Sequence, residues 1–584
     1  MRALLAHPQF HLFLLLLWTV VGLCLRLTNL TAKPLWTDEF STFVFSLGNS
    51  FTTIPLGEVL TSEQLLQPLQ ASPAVGLRSV IRNLLNESNH PPLYFALMHL
   101  WLRLFAVQGG ELLVWWGRLF SVIWGTLAIP ASYGLGLFAF RSRLVGQMAA
   151  VLMAVSPFGI YLAQEARHYT LPILWVIASL ACLMTAARTI RDRLPLPGWL
   201  CLIWIVVNVL GIATHYFMFL VLLAEGIVIV AIGLVQSWKE QGQWHPFNHW
   251  WRIVGVALGT VAGGAVWLPY LQDSDSQLTS WIIRSDRSGL EWLDPIGQSI
   301  AGWITMIFLL PIQAANPGVV LASGVALILL TLWTFPKVLR GLLLQLKRFE
   351  TRLAVFVLGC YFVSSVGLFW GVTYLFALDL TSAFRYNFVY FPAVVVLVGA
   401  GLASVWTGVM SNPRKDAGPL KFLSTGKARS VIVIGLMSLL GALTVVTNLG
   451  YQKTHRPDIV AQDIQNRSQG DALVVIAHQT HGQTGRLMGI AWNLQHSAGS
   501  PEQPPTLNPR FLLAPLTRDE RSIVRVLRNA LNQSPRPLDL WIINFRDSPE
   551  RSIDILLDRQ NCEAVTKRRL IDGYRYRLYR CGED

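Results

Sequence analysis

The sequence is poor in charge: only 14% of its 584 residues are Asp, Glu, Lys or Arg, whereas 53% are hydrophobic. Soluble domains usually carry about 25% charged residues, so a purely soluble globular protein is excluded. Cysteine is also scarce. Six cysteines without a CxxC pair or a His/Cys cluster exclude a disulfide-rich scaffold and give no sign of a zinc site. A repeat of fixed period, as in transporters built from inverted repeats, is not visible either.

The formal net charge of +14 does not point to nucleic acid. Most of the lysines and arginines in the first three quarters of the chain flank hydrophobic blocks, which is the pattern that orients a membrane protein. We therefore expect membrane lipid around most of the chain and no nucleic-acid partner. The first hydrophobic run, from about Phe10, has no cleavage site after it, so we interpret it as a retained helix.

Apolar blocks of about 20 residues, long enough to cross a bilayer as helices, recur along the chain. Eleven are predicted to span the membrane: 10–29, 118–139, 144–163, 169–187, 198–214, 216–236, 252–271, 318–336, 353–376, 387–408 and 430–449. Two shorter stretches, 91–106 and 297–312, would reach only about 24 Å as helices, less than a hydrocarbon core of about 30 Å. If neither spans, the basic loops share one side, which predicts a cytoplasmic N-terminus and two helices along the outer membrane face.

The predicted fold class is an all-α polytopic membrane protein with a small C-terminal α/β domain. The predicted parts are a membrane module (1–410), a basic cytoplasmic loop with the last span (411–454), and an extracytoplasmic domain (455–584). In that domain the patterns predict strands at 472–478, 538–545, 563–570 and 574–580, and helices at 457–467, 518–532 and 551–560. Cys562 and Cys581 are either bridged or free, because spacing does not reveal their geometry.

Two polar clusters follow or precede spans on the predicted outer side. Asp38 and Glu39, in PLWTDEF, are suited to general-base work near a bilayer, although two solvated loop acids would look the same. His90 and Tyr94, in SNHPPLYF, open an outer-face helix whose free N–H groups could hold an anion. The alternative for the second cluster is an ordinary capped amphipathic helix.

Two further clusters lie at the same predicted level. The turn in SPFGIYLAQEARHYTL is unusually polar for a connection between two apolar helices, although Glu165 and Arg167 could simply be an ion pair. The last cluster places cations and aromatics at headgroup depth, where arginine suits a phosphate but also anchors lipid. The candidate residues of these two clusters are Glu165, Arg167, Tyr169, His215, Arg385, Tyr386 and Arg118. Together with the acids, they suggest that a base activates a hydroxyl while cations stabilise a departing phosphate.

The order of these motifs resembles the GT-C superfamily of membrane glycosyltransferases. The motifs are DE after the first span, HPPLYF, GRLFS, SPFGIYLAQEARHYTL and RYNFVYFPAVVVLVGAGL. They look most like the dolichyl-phosphate-mannose-protein mannosyltransferases and the bacterial aminoarabinose and lipopolysaccharide-core transferases. The resemblance covers roughly residues 10–410.

This resemblance implies an inverting transfer of a sugar from a polyprenyl-phosphate donor to a hydroxyl acceptor, which could be protein, lipid or glycan. Asp38 matches the acidic residue expected to act as base, and Glu39 would assist it or position the acceptor. His90 and its neighbour Tyr94 would line the substrate site. The other candidate residues would bind substrate, with Arg118 and Arg385 at the donor phosphate.

The resemblance also carries expectations about cofactor and location. Metal dependence varies across the superfamily, and QEAR stands where a DxD-type pair would be, so no obligatory cofactor is expected and a divalent metal is the alternative. We expect a multi-pass protein of a bacterial plasma or inner membrane, with the active site and C-terminal domain extracytoplasmic.

Other functions stay open at this point. A transporter would need ionisable residues within the spans, where only Glu225 stands out. A non-catalytic protein that binds envelope polymers would tolerate replacement of Asp38. A transferase that uses diphosphate donors differs from the first hypothesis only in its donor.

Overall fold

The computed structural model describes residues 7–239, 247–272, 282–284, 287–410, 426–497, 509–516, 521–545 and 550–582. The basic linker predicted between the last two spans falls largely on 411–425 and lies outside these residues. The chain divides into two compact units. Unit 1 comprises 1–30, 89–94 and 118–451, and unit 2 comprises 31–88, 95–117 and 452–584. The boundaries predicted at 410 and 454 stay a prediction.

Most of the described chain is helical. The helices are α1 (Pro8–Leu27), α2 (Thr37–Ser46), α3 (Ser62–Leu66), α4 (Leu77–Glu87), α5 (Leu93–Leu104), α6 (Gly110–Phe140), α7 (Arg143–Val155), α8 (Pro157–Ala163), α9 (Thr170–Arg191), α10 (Gly198–Thr214), α11 (Met218–Lys239), α12 (Phe247–Ala265), α13 (Leu268–Gln272), α14 (Asp294–Ile307), α15 (Pro317–Lys347), α16 (Arg352–Leu375), α17 (Phe391–Met410), α18 (Gly426–Val446), α19 (Pro457–Arg467), α20 (His481–Ser497), α21 (Arg521–Gln533) and α22 (Glu550–Arg559).

Every predicted span overlaps a helix, and the fold class of a polytopic helical membrane protein with a C-terminal sheet domain is confirmed. Eight described helices are long and apolar enough to cross a bilayer, or nine if α7 and α8 form one bent span. The apolar helix α10 has only 17 residues. The count of eleven spans therefore stays a prediction. The two short stretches form α5 and α14, which have 12 and 14 residues.

Close helix contacts in unit 1 depend on small residues. A Cβ atom at Gly341 of α15 would lie 2.2 Å from the backbone oxygen of Gly401 in α17. On another side of α17, a Cβ at Gly399 would lie 2.9 Å from the backbone nitrogen of Ala149 in α7. Larger side chains would push these backbones apart, so glycine sets the distance at which α17 packs between its neighbours.

The segment predicted as one straight span at 144–163 is two helices, α7 and α8, bent by 55°. The break is at Ser156, which caps α8: its hydroxyl accepts from the Gly159 amide (3.1 Å) and donates to the Met306 carbonyl (2.7 Å). Pro157 then occupies the first position of α8, where it costs no hydrogen bond. The end of α7 is held by Arg26, whose buried guanidinium donates to the carbonyls of Met153 (2.9 Å) and Ala154 (3.0 Å).

Unit 2 contains a seven-stranded mixed sheet. Its strands are β1 (Val59–Leu60), β2 (Asp471–His478), β3 (Arg510–Pro515), β4 (Leu538–Ile543), β5 (Cys562–Ala564), β6 (Arg569–Ile571) and β7 (Tyr574–Cys581). Their order is β1-β3-β2-β4-β7-β5, with β6 also paired to β7. Strands β2, β3 and β4 are parallel, and the outer pairings are antiparallel.

The C-terminal part of the sheet agrees with the predicted strands and helices, except that the strand predicted at 563–570 is split into β5 and β6. Helix α20 and strand β3 have no counterpart among the predicted elements. Residues 50–89 are polar and loop-like in sequence, but they contain β1, α3 and α4. Val59 and Leu60 pair with Leu512 and Phe511, which adds an edge strand from the N-terminal part of the chain.

Cys562 and Cys581 face each other directly in the β5–β7 ladder and form a disulfide. The bridge closes a loop with a sequence separation of 19 residues and joins a short outer strand to the body of the sheet. Of the two alternatives left open by the sequence, the structure has the bridged one.

Replacing both cysteines by serine should lower the free energy of unfolding of the C-terminal domain by about 3 kcal/mol, because a loop of this size then regains its entropy in the unfolded state. Thermal unfolding followed by circular dichroism, with Cys24→Ser as the unbridged control, measures the effect. An unchanged unfolding midpoint together with no electrophoretic shift of the wild type on reduction would contradict the bridge.

Candidate functional site

The polar turn between α8 and α9 is buried, although loops usually lie at the surface. Glu165 and His168 are fully buried, and Arg167 is 2% exposed. The side-chain amide of Gln164, at the end of α8, donates to the carbonyls of Arg26 (3.2 Å) and Thr28 (2.8 Å). These bonds fix the turn to the end of α1. Buried charged groups need such organised surroundings, which makes this turn the best candidate for a binding element in unit 1.

Arg167 is held by both its guanidinium and its backbone. Its Nη2 donates to Nε2 of His90 at 3.1 Å, so the neutral His90 ring carries its proton on Nδ1. The Arg167 carbonyl accepts from the Ser121 hydroxyl at 3.1 Å. Because that bond uses the only hydroxyl proton of Ser121, the Tyr94 hydroxyl donates to Ser121 at 2.8 Å. The structure thus brings together His90, Tyr94 and Arg167, which the sequence places in two separate motifs.

Three imidazoles pack in a row beside this arginine. The ring centroids of His90 and His168 are 5.2 Å apart, and those of His168 and His215 are 4.7 Å apart. Burial is the main cause that holds the pKa of His168 well below its usual range, and the positive charges of nearby Arg167 and Arg385 act in the same direction. Burial and the neighbouring cationic groups lower the pKa of His215 in the same way. Both rings are therefore neutral at pH 7.

Arg385 and Tyr386 lie in a 3₁₀ segment, Phe384–Val389, before α17. The Arg385 guanidinium carbon is 5.5 Å from the Tyr386 ring centroid, and the Tyr386 and His215 rings are 6.3 Å apart. Tyr169, whose ring centroid lies 5.7 Å from that of His215, has the Arg167 guanidinium over its face at 5.6 Å. We call Arg167, Arg385, the three histidines, Tyr169 and Tyr386 the cationic cluster.

Arg118 and Glu165 are the remaining candidates of unit 1. Arg118 is fully buried in α6, and its Nη1 donates to the Leu30 carbonyl at 2.9 Å, just after α1. Glu165 is fully buried in the polar turn. Their predicted roles with substrate stay predictions.

Asp38 and Glu39 belong to unit 2, in the first turn of α2, where the helix dipole favours negative charge. The two acids differ sharply. Glu39 is fully buried, and its Oε2 lies 3.6 Å from Nζ of Lys453, whose side chain is equally buried. Asp38 is partly exposed. The acid that lies toward solvent is therefore Asp38.

The start of α2 is fixed by residues that follow the last span. Arg486 Nη2 donates to Nε2 of His455 at 3.4 Å, so the neutral His455 ring carries its proton on Nδ1 and donates to the Thr37 hydroxyl at 2.7 Å. On α20, a Cβ at Gly485 would lie 3.1 Å from the Thr37 methyl carbon. Glycine at this position thus lets α2 and α20 pack closely.

Sequence reasoning missed Lys453, His455 and Arg486, because single polar residues in a linker or a helix carry no signal of a partner far away in the chain. His168 lies within the polar turn but is not among the predicted site residues. Its spacing, three residues after Glu165 and next to Arg167, was the available signal.

Within the described residues, no group of three or more His, Cys, Asp or Glu side chains is placed to hold a metal ion. Metal dependence stays a prediction.

Comparison with known proteins places this geometry in context. No protein-family model and no curated protein matches the chain. Among solved structures, ArnT from Cupriavidus metallidurans bound to undecaprenyl phosphate is 14% identical, with 96% of this chain and 97% of that chain covered and a TM-score of 0.49. The oligosaccharyltransferase AglB from Archaeoglobus fulgidus, in complex with an inhibitory peptide and a dolichol-phosphate, is 13% identical, with coverage of 83% and 63% and a TM-score of 0.43.

At this level of identity and TM-score, the site has to be argued from the residues of this chain.

The Glu39–Lys453 pair should be essential for the stability of unit 2. Glu39→Gln and Lys453→Met should each lower the free energy of unfolding by about 3 to 5 kcal/mol, because each breaks a buried ion pair. The double variant should lose less than the sum. Urea unfolding in micelles measures the changes, with Asp192→Asn in the exposed Arg191–Asp192 pair as a control expected below about 1 kcal/mol. Additive losses would contradict the coupling.

The neutral histidines predict a loss of stability in acid. Since the folded-state pKa of each lies below the unfolded value of about 6.5, the unfolded state binds more protons below that pH. The contribution of these histidines to the free energy of unfolding should be fully present above about pH 6.5. It should fall toward pH 5, by up to about 1.4 kcal/mol per pH unit for each histidine. His215→Asn should reduce the pH dependence of the unfolding midpoint, and an unchanged dependence would contradict the assignment.

Proposed function

We propose that this chain is an inverting glycosyltransferase that moves a sugar from a polyprenyl-phosphate donor to a hydroxyl acceptor on the outer face of the membrane. The observation that carries the proposal is the cationic cluster: two arginines among neutral imidazoles and tyrosines, at the ends of apolar helices. Such a group suits a phosphate attached to a membrane-embedded lipid.

The arginines would stabilise the leaving group. As the bond between the anomeric carbon and the phosphate oxygen breaks, its electron pair stays on the phosphate, and negative charge grows there. Arg167 and Arg385 supply fixed positive charge, and the neutral imidazoles supply N–H donors without repelling these cations. Donors that are already oriented stabilise developing charge most effectively. Tyr169 and Tyr386 would support the guanidinium groups through their ring faces.

Asp38 would act as the general base. It takes the proton of the acceptor hydroxyl while the acceptor oxygen forms the new bond to the anomeric carbon. Glu39 is less suited to this step, since it is fully buried and close to Lys453. Its role would be to hold the first turn of α2, and with it Asp38, in position. Attack on one face and departure of phosphate from the other invert the anomeric configuration in a single displacement.

The orientation of the protein belongs to the proposal. The basic loops predict a cytoplasmic N-terminus, and eleven spans then put the C-terminal domain outside the cytoplasm. The disulfide between Cys562 and Cys581 supports an oxidising compartment for that domain. We place the protein in the plasma or inner membrane of a bacterium, with its active site and its C-terminal domain on the extracytoplasmic side.

The test is sugar release from a panel of labelled polyprenyl-phosphate sugars by the purified wild type and by Asp38→Asn. One donor should turn over, and the variant should lose about 100- to 10,000-fold in rate, the usual contribution of a general base. Asp471→Asn, an exposed acid at the start of β2, is the matched control. Repeating the reaction with EDTA tests the prediction that no metal is obligatory.

Each other outcome has a defined meaning. Equal turnover by Asp38→Asn would overturn Asp38 as the base, with Glu39 and Glu165 as the next candidates. Turnover of polyprenyl-diphosphate sugars alone would replace the donor class. Failure with both donor classes in the presence of acceptor extracts would favour a non-catalytic protein that binds envelope polymers.

A further inference from the structure

A polar cleft of about 210 Å³ opens in unit 2 at the carboxyl ends of the parallel strands. Gln479 follows β2, Leu516 follows β3 and Asn544 follows β4, and all three line it. From β2 the chain passes through α20 to β3 on one side, and it later enters β4 on the other side of β2. The cleft thus lies at a reversal of strand order, the position where open α/β sheets bind ligands.

The lining of the cleft is positively charged. Arg486 and Arg575 both line it, and none of the described lining residues is Asp or Glu. The side chain of Arg575 makes no hydrogen bond or ion pair with any of the residues that the structure describes. Among the described residues nothing occupies its planar fork, and such a fork binds a carboxylate or a phosphate through two parallel hydrogen bonds. Gln479, Gln483 and Asn544 add neutral donors and acceptors of the kind that hydroxyl groups need.

The backbone around Arg575 is rigid. Asn544 has a left-handed conformation (φ 57°), its amide donates to the Arg575 carbonyl at 2.7 Å, and its side-chain oxygen accepts from the Arg575 amide at 2.8 Å. The Tyr574 hydroxyl donates to the Arg486 carbonyl at 3.1 Å, which joins β7 to α20. Both arginines are thus fixed through their backbones, so the cleft is organised before a ligand binds.

The cleft is also connected to the start of α2. Arg486, which lines the cleft, donates to His455, and His455 donates to Thr37, the residue before Asp38. A ligand bound beside Arg486 would lie within this network of unit 2. A binding site connected to the proposed base is better suited to the acceptor than to an unrelated effector.

From these observations we infer that the cleft binds an anionic sugar residue of the acceptor, with its carboxylate or phosphate ester between Arg486 and Arg575. The assignment of the ligand to the acceptor rests on the proposed function, whereas the anion site itself does not. The volume is below the roughly 300 to 1,000 Å³ of clefts for drug-sized ligands, which favours a single sugar residue. Hydroxyl groups of that ring would meet Gln479, Gln483 and Asn544.

Binding is measured by calorimetry on the full-length protein in nanodiscs of zwitterionic lipid, with glucuronate, glucose 6-phosphate, inorganic phosphate and glucose as probes. Glucuronate or glucose 6-phosphate should bind saturably and at least tenfold more tightly than glucose. Preference for the first identifies a uronate, and preference for the second identifies a phosphorylated sugar. If inorganic phosphate binds as tightly as either sugar anion, the site recognises the anion alone and the sugar part of the inference fails.

The deciding variant is Arg575→Ala, which should weaken binding of the anionic sugar at least tenfold. It should fold normally, because the side chain makes no bond within the described chain, and an unchanged unfolding midpoint verifies this. Arg528→Ala removes one exposed charge of unit 2 that does not line the cleft, and it should bind as the wild type does. Equal binding by Arg575→Ala, or no binding of any anion by the wild type, would overturn the inference.

Hydrolysis of the donor, in which water takes the place of the acceptor hydroxyl, separates this inference from the proposed function. Arg575→Ala should release sugar from the donor at the wild-type rate, whereas Asp38→Asn should not. If the wild type binds the anion but turns over no donor, the anion site is supported and the proposed function is overturned. If the donor turns over and the anion does not bind, the proposed function is supported and the anion site is overturned.

Discussion

The arrangement of unit 1 depends on how one buried guanidinium is satisfied. Arg26, at the end of α1, donates to carbonyls of Gly22, Met153 and Ala154, and no described carboxylate pairs with it. It thereby compensates the carbonyl groups that the break after α7 leaves without helical partners. The same end of α1 accepts two hydrogen bonds from Gln164, which fixes the polar turn. Without this cation, a bend at Ser156 would leave polar backbone groups exposed to an apolar environment.

The two ends of the proposed reaction use charge differently. In unit 1, positive charge is concentrated on arginines while the surrounding histidines are neutral, so these donors add polarity without repulsion. In unit 2, Glu39 is close to a buried lysine, and Asp38 beside it is exposed enough to meet a hydroxyl. Adjacent acids in the sequence therefore differ in their surroundings: Glu39 is buried beside a lysine, and Asp38 is partly exposed.

Much of this was accessible from the sequence. Apolar blocks predict membrane helices reliably because every backbone group in lipid must be satisfied within the helix. The motifs also placed His90, Arg167, His215 and Arg385 in one hypothesis, and the structure gathers them in one cluster. The sequence could not reveal the Glu39–Lys453 pair, since the partners are hundreds of residues apart. Strand β1 was not predictable either, because two residues are too few for a strand pattern. Nor was the bend at Ser156, because Ser-Pro is tolerated within membrane helices.

The edge strand β1 has a consequence for biogenesis. Leu60 pairs with Phe511, about 450 residues later in the chain, so unit 2 cannot complete its sheet until synthesis is nearly finished. At about 5 to 20 residues per second, the N-terminal segment waits on the order of 20 to 90 s for its partner. Meanwhile the intervening spans must enter the membrane without separating that segment from its partner strand. Correct insertion of the spans therefore controls whether the sheet gains its β1 edge, and a misinserted chain would leave strand β3 with an unpaired edge.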